Sequence, residues 1–351
     1  MKSIMTYRKG LDIVNKFKRA RVLVIGDLIM DHFVWGKVRR ISPEAPVPVV
    51  EVNSESLMLG GAANVVNNIH SLGGKVLVTG VIGRDEMGKN LVHELRLKGI
   101  ATGGVFIEEK RPTSVKTRVI AHSQQVVRFD RERKDKIHLD TMKTIVDYTK
   151  KKINLVDSIV ISDYAKGVIS EELVEEVVSI ARKKDKPVAV DPKVAHFDFY
   201  KSATIVTPNN DEASKASGID IEDDDSLLRA GEVLLNKLGC EAVLITRGEH
   251  GMSLFENNGG ITHIPTVAQE VYDVSGAGDT VIGALALAIA TGANFKEAAV
   301  ISNFAAGIVV GKVGTAAVAP KELKRAMEQA NRVGVKMAKT ATRSPRSKSE
   351  R

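Results

Sequence analysis

Short apolar runs bounded by turn-forming residues alternate with amphipathic segments of helical period along most of this chain. Runs at Val22–Gly26, Lys75–Val81, Ser158–Ser162, Pro187–Asp191, Thr204–Thr207 and Ala242–Thr246 read as strands. Helical periodicity falls near 62–72, 86–98, 141–154, 170–184, 210–217 and 226–239, with three later helices at about 277–291, 296–311 and 320–338. Strand–helix alternation of this kind predicts an α/β fold. Its mostly parallel central sheet would be covered on both faces, as a three-layer αβα sandwich.

Two stretches break the alternation. Residues 33–52, with three prolines, and 105–130 read as extended, irregular strands that leave the α/β pattern and return to it. Strands from two such excursions can pair into a small separate sheet, a lid over a cleft. A small sheet exposes an apolar face unless a second subunit covers it, so a homodimer through the lid is expected.

Composition narrows the class. With 43% hydrophobic and 27% charged residues the chain has the make-up of a soluble globular protein. The first twenty residues carry charges throughout and show no apolar leader core, and no apolar run is long enough to span a bilayer. The one cysteine, Cys240, rules out an internal disulfide or a zinc–thiolate cluster. A cytoplasmic protein is expected. Six of the eight net positive charges fall within residues 331–351, so the body is not a basic surface and nucleic acid is not an expected partner. The folded body is read as residues 1–330, followed by a basic tail without apolar period, expected to be disordered beyond 339.

The chemistry concentrates in Val271-Tyr-Asp-Val-Ser-Gly-Ala-Gly-Asp-Thr280. A helix entered through Gly276, Ala277 and Gly278 would aim unpaired N–H groups and a positive dipole end at an anion. Asp279 stands beside that cradle, placed to take a proton from a hydroxyl. Gly83-Arg-Asp-Glu-Met-Gly-Lys-Asn90 nearly spells a P-loop. However, Asn90 lacks the metal-binding hydroxyl and Asp85 and Glu86 would put carboxylates among phosphates, so a turn capped by Asp85 is the better reading.

Other signals lie at predicted strand ends, where open parallel sheets bind ligands. Asp27 and Asp31 follow the first strand and read either as sugar-hydroxyl acceptors or as a turn acid and a helix cap. Gly60 and Gly61 allow close backbone approach, and Asn64 offers donor and acceptor to a polyol. Asn209-Asn210-Asp211-Glu212 reads either as a hydrated Mg²⁺ site, through Asn209 and Glu212, or as a helix cap. Thr246, Gly248 and Gly251 could hold nucleotide phosphates, and Lys166 and Lys193 each supply a cation. No two of the eight histidines are closer than thirteen residues, so local paired-histidine motifs are missing.

Gly60-Gly-Ala-Ala-Asn64, Gly83-x-Asp85-x-x-Gly88 and Asp273-Val-Ser-Gly-Ala-Gly-Asp279 together resemble the ribokinase-like (PfkB) sugar kinases. Gly26-Asp-Leu-Ile-Met-Asp31 followed by Arg40-Ile-Ser-Pro-Glu-Ala-Pro-Val-Pro-Val-Val50 is similar to the branch of that family acting on a heptose 7-phosphate. The resemblance implies Asp279 as general base, N–H groups of Gly276 to Gly278 as anion hole, and Asn209–Glu212 in a Mg–ATP site. The substrate's own phosphate would need cations, for which Lys166, Lys193, Arg118 and Arg128 qualify by type and position. Family members often carry a second, nucleotidyltransferase domain; without a His-x-Gly-His element in 351 residues, the expectation is the kinase alone. The alternatives are a kinase for another sugar and a non-catalytic sugar or nucleotide sensor.

Overall fold

The computed structural model describes residues 4–122, 124–268, 271–312, 314, 316–332 and 339–341. Fourteen strands run through them: β1 (Arg21–Gly26), β2 (Leu28–Ile41), β3 (Pro48–Gly61), β4 (Lys75–Ile82), β5 (Val105–Ile107), β6 (Ser114–Ala121), β7 (Gln124–Arg131), β8 (Ser158–Ser162), β9 (Val188–Asp191), β10 (Ile205–Val206), β11 (Ala242–Thr246), β12 (Met252–Glu256), β13 (Ile261–Ile264) and β14 (Lys339–Ala341). Ten of these form one sheet in the order β14-β13-β12-β11-β10-β9-β8-β1-β4-β5. From β5 to β11 all neighbours are parallel, and β12 to β14 add an antiparallel edge.

The period-two geometry of a strand explains the layers. On β1, Val22 and Val24 join one core with Val65, Ile69, Ile282 and Leu285, whereas Leu23 and Ile25 join the opposite core with Ile145, Leu173, Val177 and Leu234. Helices Ala62–Ser71, Ala277–Ala290 and Phe295–Val309 cover the first face; Leu139–Lys152, Glu171–Arg182 and Asp224–Leu238 cover the second. Both faces are therefore covered, and the parallel strands are mostly apolar.

The lid exists, with shifted boundaries. It is a four-stranded sheet in the order β3-β2-β6-β7, so it spans 28–61 and 114–131 rather than 33–52 and 105–130. Leu28, Ile29 and Met30 are buried where β2 leaves the main sheet, and that apolar start disguised its beginning. Val105–Ile107 pairs with β4 in the main sheet, outside the lid. Strand β7 is exposed along its whole length, and Trp35, Val52, Val127 and Phe129 leave apolar surface on the lid.

Three further features went unforeseen. The hairpin β12–β13 is one. The helix Tyr7–Lys16, capped by the Thr6 hydroxyl, is another; its Gly10 permits close approach of Met327. The third lies at the start of the expected tail. Lys339–Ala341 pair antiparallel with β13, because that edge strand offers a free ladder of backbone groups. Residues 333–338 of the expected last helix, and 342–351 of the tail, lie outside the described residues; the helix is described over Pro320–Arg332.

Candidate active site

The C-terminal ends of β1, β8, β9, β10 and β11 open on one crevice, with the lid above and the helix Ala277–Ala290 entering from the side. That helix begins at Gly276, whose φ of +78° only glycine adopts without strain. The N–H of Ala277 donates to the Val274 carbonyl at 3.2 Å, so it is not part of an open cradle as expected. The N–H groups of Gly276, Gly278 and Asp279 have no partner among the described residues. A Cβ at Gly278 would meet nothing within 4 Å, so this turn faces open space. Asp273 ties the approach by accepting from the N–H of Ser275 and of Gly314.

Asp279 is buried at this helix start. Its Oδ2 accepts from Asn64 Nδ2 at 2.7 Å and its Oδ1 from the Tyr164 hydroxyl at 2.7 Å. Asn64 is oriented through helix Ala62–Ser71, which Gly61 (φ +55°) allows to start immediately under the lid. Burial pushes the Asp279 carboxyl up to about 6 against the downward pull of those two donors. An acid with that value is ionised near neutrality yet basic enough to accept a proton from an alcohol under attack.

A cavity of about 620 Å³ is lined by Thr246, Gly248 and Gly251 and by Ala277, Gly278 and Val281, the residues on either side of Asp279 along the helix start. It brings together the expected phosphate-contacting residues and the helix N-terminus. Val271, Val274 and Val310 give it apolar walls, which suits a nucleotide base.

The lid contributes charge. Across adjacent strands Asp31 lies beside Lys116 and Phe33 beside Arg118, with Arg128 opposite Arg118 on β7. Arg118 donates to Asp31 Oδ1 at 2.6 Å, and the Asp31 carboxylate packs so close to Gly60 that a Cβ there would collide with it. Lys116, which sequence reasoning missed, sits 4.9 Å from the Tyr164 ring centroid. Burial lowers its pKa despite the attraction of Asp31. Arg128 is half exposed and paired with Asp130, and Lys166 pairs with Glu132 at 2.8 Å.

Several expected contacts resolve differently. Both oxygens of Asp27 serve the backbone, accepting from the N–H groups of Tyr164, Lys166 and Val168, so Asp27 is a buried loop anchor rather than a sugar acceptor. Its neighbour Asp163 adds repulsion to the effect of burial, and the Asp27 carboxyl rises to about 6. For Asn209 and Glu212 the structure holds the capping geometry. Each side chain accepts from the other's backbone N–H, and Glu212 Oε1 also accepts from Lys193 at 2.8 Å. Asp211 pairs with Lys215 on the outer helix surface, and Asn210 is partly buried at the helix start. Asp85 caps the helix Glu86–Leu97 and accepts from Thr113, which removes the P-loop reading.

Asp191 lies at the crevice floor. Burial and the neighbouring Asp279 and Glu212 carboxylates push it well above the usual carboxylate range. The excess of negative charge around Lys193 fits a hydrated divalent cation. Among the described residues no three His, Cys, Asp or Glu side chains gather as a metal cage, so such an ion would draw most of its ligands from phosphate and water.

An anion-facing helix start, a buried carboxylate tuned near neutrality in its first turn and a nucleotide-sized cavity alongside define a phosphotransferase acting on an alcohol. The comparisons agree: residues 19–322 match the pfkB family carbohydrate kinase, and the chain belongs to that family of sugar kinases. It is 51% identical over 301 residues to the bifunctional protein HldE of Geobacter sulfurreducens, covering 86% of this chain and 61% of that protein. It is 50% identical over 315 residues to the bifunctional protein HldE of Geotalea uraniireducens, covering 89% and 64%. The chain thus spans less than two thirds of the length of these relatives. Among solved structures, Arabidopsis thaliana ribokinase complexed with ribose and ATP superposes with a TM-score of 0.70 at 20% identity, over 88% of this chain and 99% of that one. Escherichia coli phosphofructokinase-2 gives 0.72 at 17% identity, over 89% and 99%. These two support the ribokinase-like fold.

Proposed function

We propose that the chain transfers the γ-phosphoryl group of ATP to O1 of D-glycero-β-D-manno-heptose 7-phosphate, giving the 1,7-bisphosphate on the route to ADP-heptose and the lipopolysaccharide core. The observation that carries the reading is the cavity lined by Gly278, the neighbour of buried Asp279. Nucleotide in that cavity would present its terminal phosphate to the free N–H groups of the helix start, and a sugar under the lid would meet Asp279 from the other side.

In this reading Asp279 accepts the O1 proton as O1 attacks phosphorus and the β–γ bridging oxygen leaves with ADP. The helix N-terminus stabilises charge on the transferring group. Most of the catalysis is then positioning. Asn209, Glu212 and Asp191 would surround Mg²⁺ through water, and the ion when bound neutralises phosphate charge. Asn64 and Asp31 would orient sugar hydroxyls. Lys116, Arg118 and Arg128, on one face of the lid, would hold the 7-phosphate, with Lys166 and Lys193 nearer the floor. The heptose reading is supported by the Arg40–Val50 segment and by the HldE relatives. The apolar lid surface supports a homodimer, and the single cysteine supports a cytoplasmic address. An ADP-release assay with heptose 7-phosphate, fructose 6-phosphate and ribose tests the substrate; a faster rate on either of the last two would favour a different sugar.

A further inference from the structure

Tyr164 donates one hydrogen bond to Asp279, yet an extensive network fixes its placement. The loop that carries it, 163–168, departs from β8 through Ala165 at φ +52° and Gly167 at φ +89°. A left-handed alanine is strained and persists only when its surroundings over-determine it. Two buried carboxylates do so. Asp27 accepts the N–H groups of Tyr164, Lys166 and Val168, and Asp163 accepts the N–H of Ala165 at 2.6 Å. Asp163 is itself fixed by His196 at 2.7 Å and by the Tyr200 hydroxyl at 2.6 Å. From outside, Arg111 donates to the Lys166 carbonyl at 2.5 Å and is held by Glu108 at 2.9 Å.

The ring that this loop delivers is met by two cations, Lys116 at 4.9 Å and Lys193 at 5.5 Å from its centroid. Cations over the face of a phenol hold the ring in plane by attraction to its quadrupole. Lys116 comes from the lid and Lys193 from the floor, so one side chain touches both walls of the crevice. Its hydroxyl meets Asp279 Oδ1 while Asn64 meets Oδ2, which leaves each carboxylate oxygen one further lone pair.

We propose that Tyr164 is a positioning residue for Asp279, fixing the carboxylate in the one orientation that leaves a lone pair open to the substrate hydroxyl. The inference rests on the reading of Asp279 as the base. The hydroxyl contact has a second consequence, because donation to the ionised form favours ionisation. Other groups facing Asp279 are Asp31 from β2 and Asp191 from β9, which oppose ionisation, and Lys116 from β6, which favours it. Without the Tyr164 hydroxyl the balance shifts toward the protonated acid.

Tyr164→Phe keeps the ring and both cation contacts and removes only the donor. The acid limb of its kcat/KM profile is expected to move up by about one pH unit, and kcat at neutral pH to fall roughly tenfold. KM for ATP should stay within about threefold, since the hydroxyl is directed at the acid rather than the nucleotide cavity. The same substitution made on Asp279→Asn should change the residual rate by less than about twofold, because the base that the hydroxyl positions is already gone. An acid limb that superposes on wild type, or an equal loss in both backgrounds, would overturn the proposal. Asp279→Asn alone with near-normal turnover would instead overturn the base assignment, so the two failures are distinguishable.

Discussion

The floor of the crevice and the lid above it solve opposite problems with similar residues. On the floor, Asp27, Asp163 and Asp279 are all buried and every one has fixed donors. On the lid, charged side chains are partly exposed and pair with each other, Arg118 with Asp31 and Arg128 with Asp130. The β2–β3 and β6–β7 ladders also slip at Trp35/Gly36, Val38/Arg40 and Val119/Ile120, whereas the parallel pairs of the main sheet keep their register. Bulges and exposed ladders belong to the less stable parts of a fold. The floor is therefore built to hold chemistry still, and the lid to adapt around a substrate. Asp27 and Asp279 sharpen the point. Both carboxyls rise to about 6 through burial, but Asp27 binds backbone on every side while Asp279 opens to the crevice.

The largest effect should come from breaking the floor. Asp279→Asn is expected to lower kcat by roughly 10²–10⁴-fold with the fold and nucleotide binding retained, the usual worth of a positioned base. Its stability should move the other way. The folded acid titrates near 6, above an unfolded carboxylate at about 4, so the native state holds the extra proton between those values and stability falls as pH rises through them. The asparagine variant escapes that loss. Its melting temperature relative to wild type should therefore climb between about pH 4 and about pH 7, which a thermal-melt series reads directly.

A smaller and more selective effect is expected on the lid. Arg118→Ala should lower kcat/KM for a phosphorylated sugar by about tenfold to a hundredfold, since it removes a charge-assisted contact, and should alter that for the plain sugar much less. Equal losses on both would place Arg118 in lid structure through Asp31 and not in phosphate recognition. The smallest effect lies far from both regions. Removing residues 339–351 deletes β14, an edge strand, and should shift melting by no more than roughly 2–4 °C with turnover unchanged. A fall in activity would tie the tail to the nucleotide side.

The floor was far more legible than the lid. Strands such as Ser158–Ser162 and Ala242–Thr246 stand out because two-sided burial demands unbroken apolar runs, and the Gly-Ala-Gly-Asp turn because few other structures need that composition. Identity of residue types did not reveal partners. Tyr164 and Asp279 lie 115 positions apart, and Asp27 finds its donors at separations of 137 to 141, so their hydrogen bonds depend on the sheet order. Lys116 escaped notice because an isolated lysine in an extended segment looks like a solvated one until the lid folds over Tyr164. Local rules did succeed where the geometry is local: Asn209 and Glu212 make the capping box that their spacing allows.

The measurement that tests the account most directly is kcat/KM of the wild-type chain for heptose 7-phosphate and for the same heptose without its phosphate, at equal saturating Mg–ATP. Lid cations that bind the remote phosphate should use that contact to align O1 with the γ-phosphoryl group, so both kcat and KM should favour the phosphorylated sugar. A preference of about a hundredfold or more for the phosphorylated sugar is expected. Comparable values for the two sugars would contradict it and leave a sugar kinase whose lid charges serve another purpose.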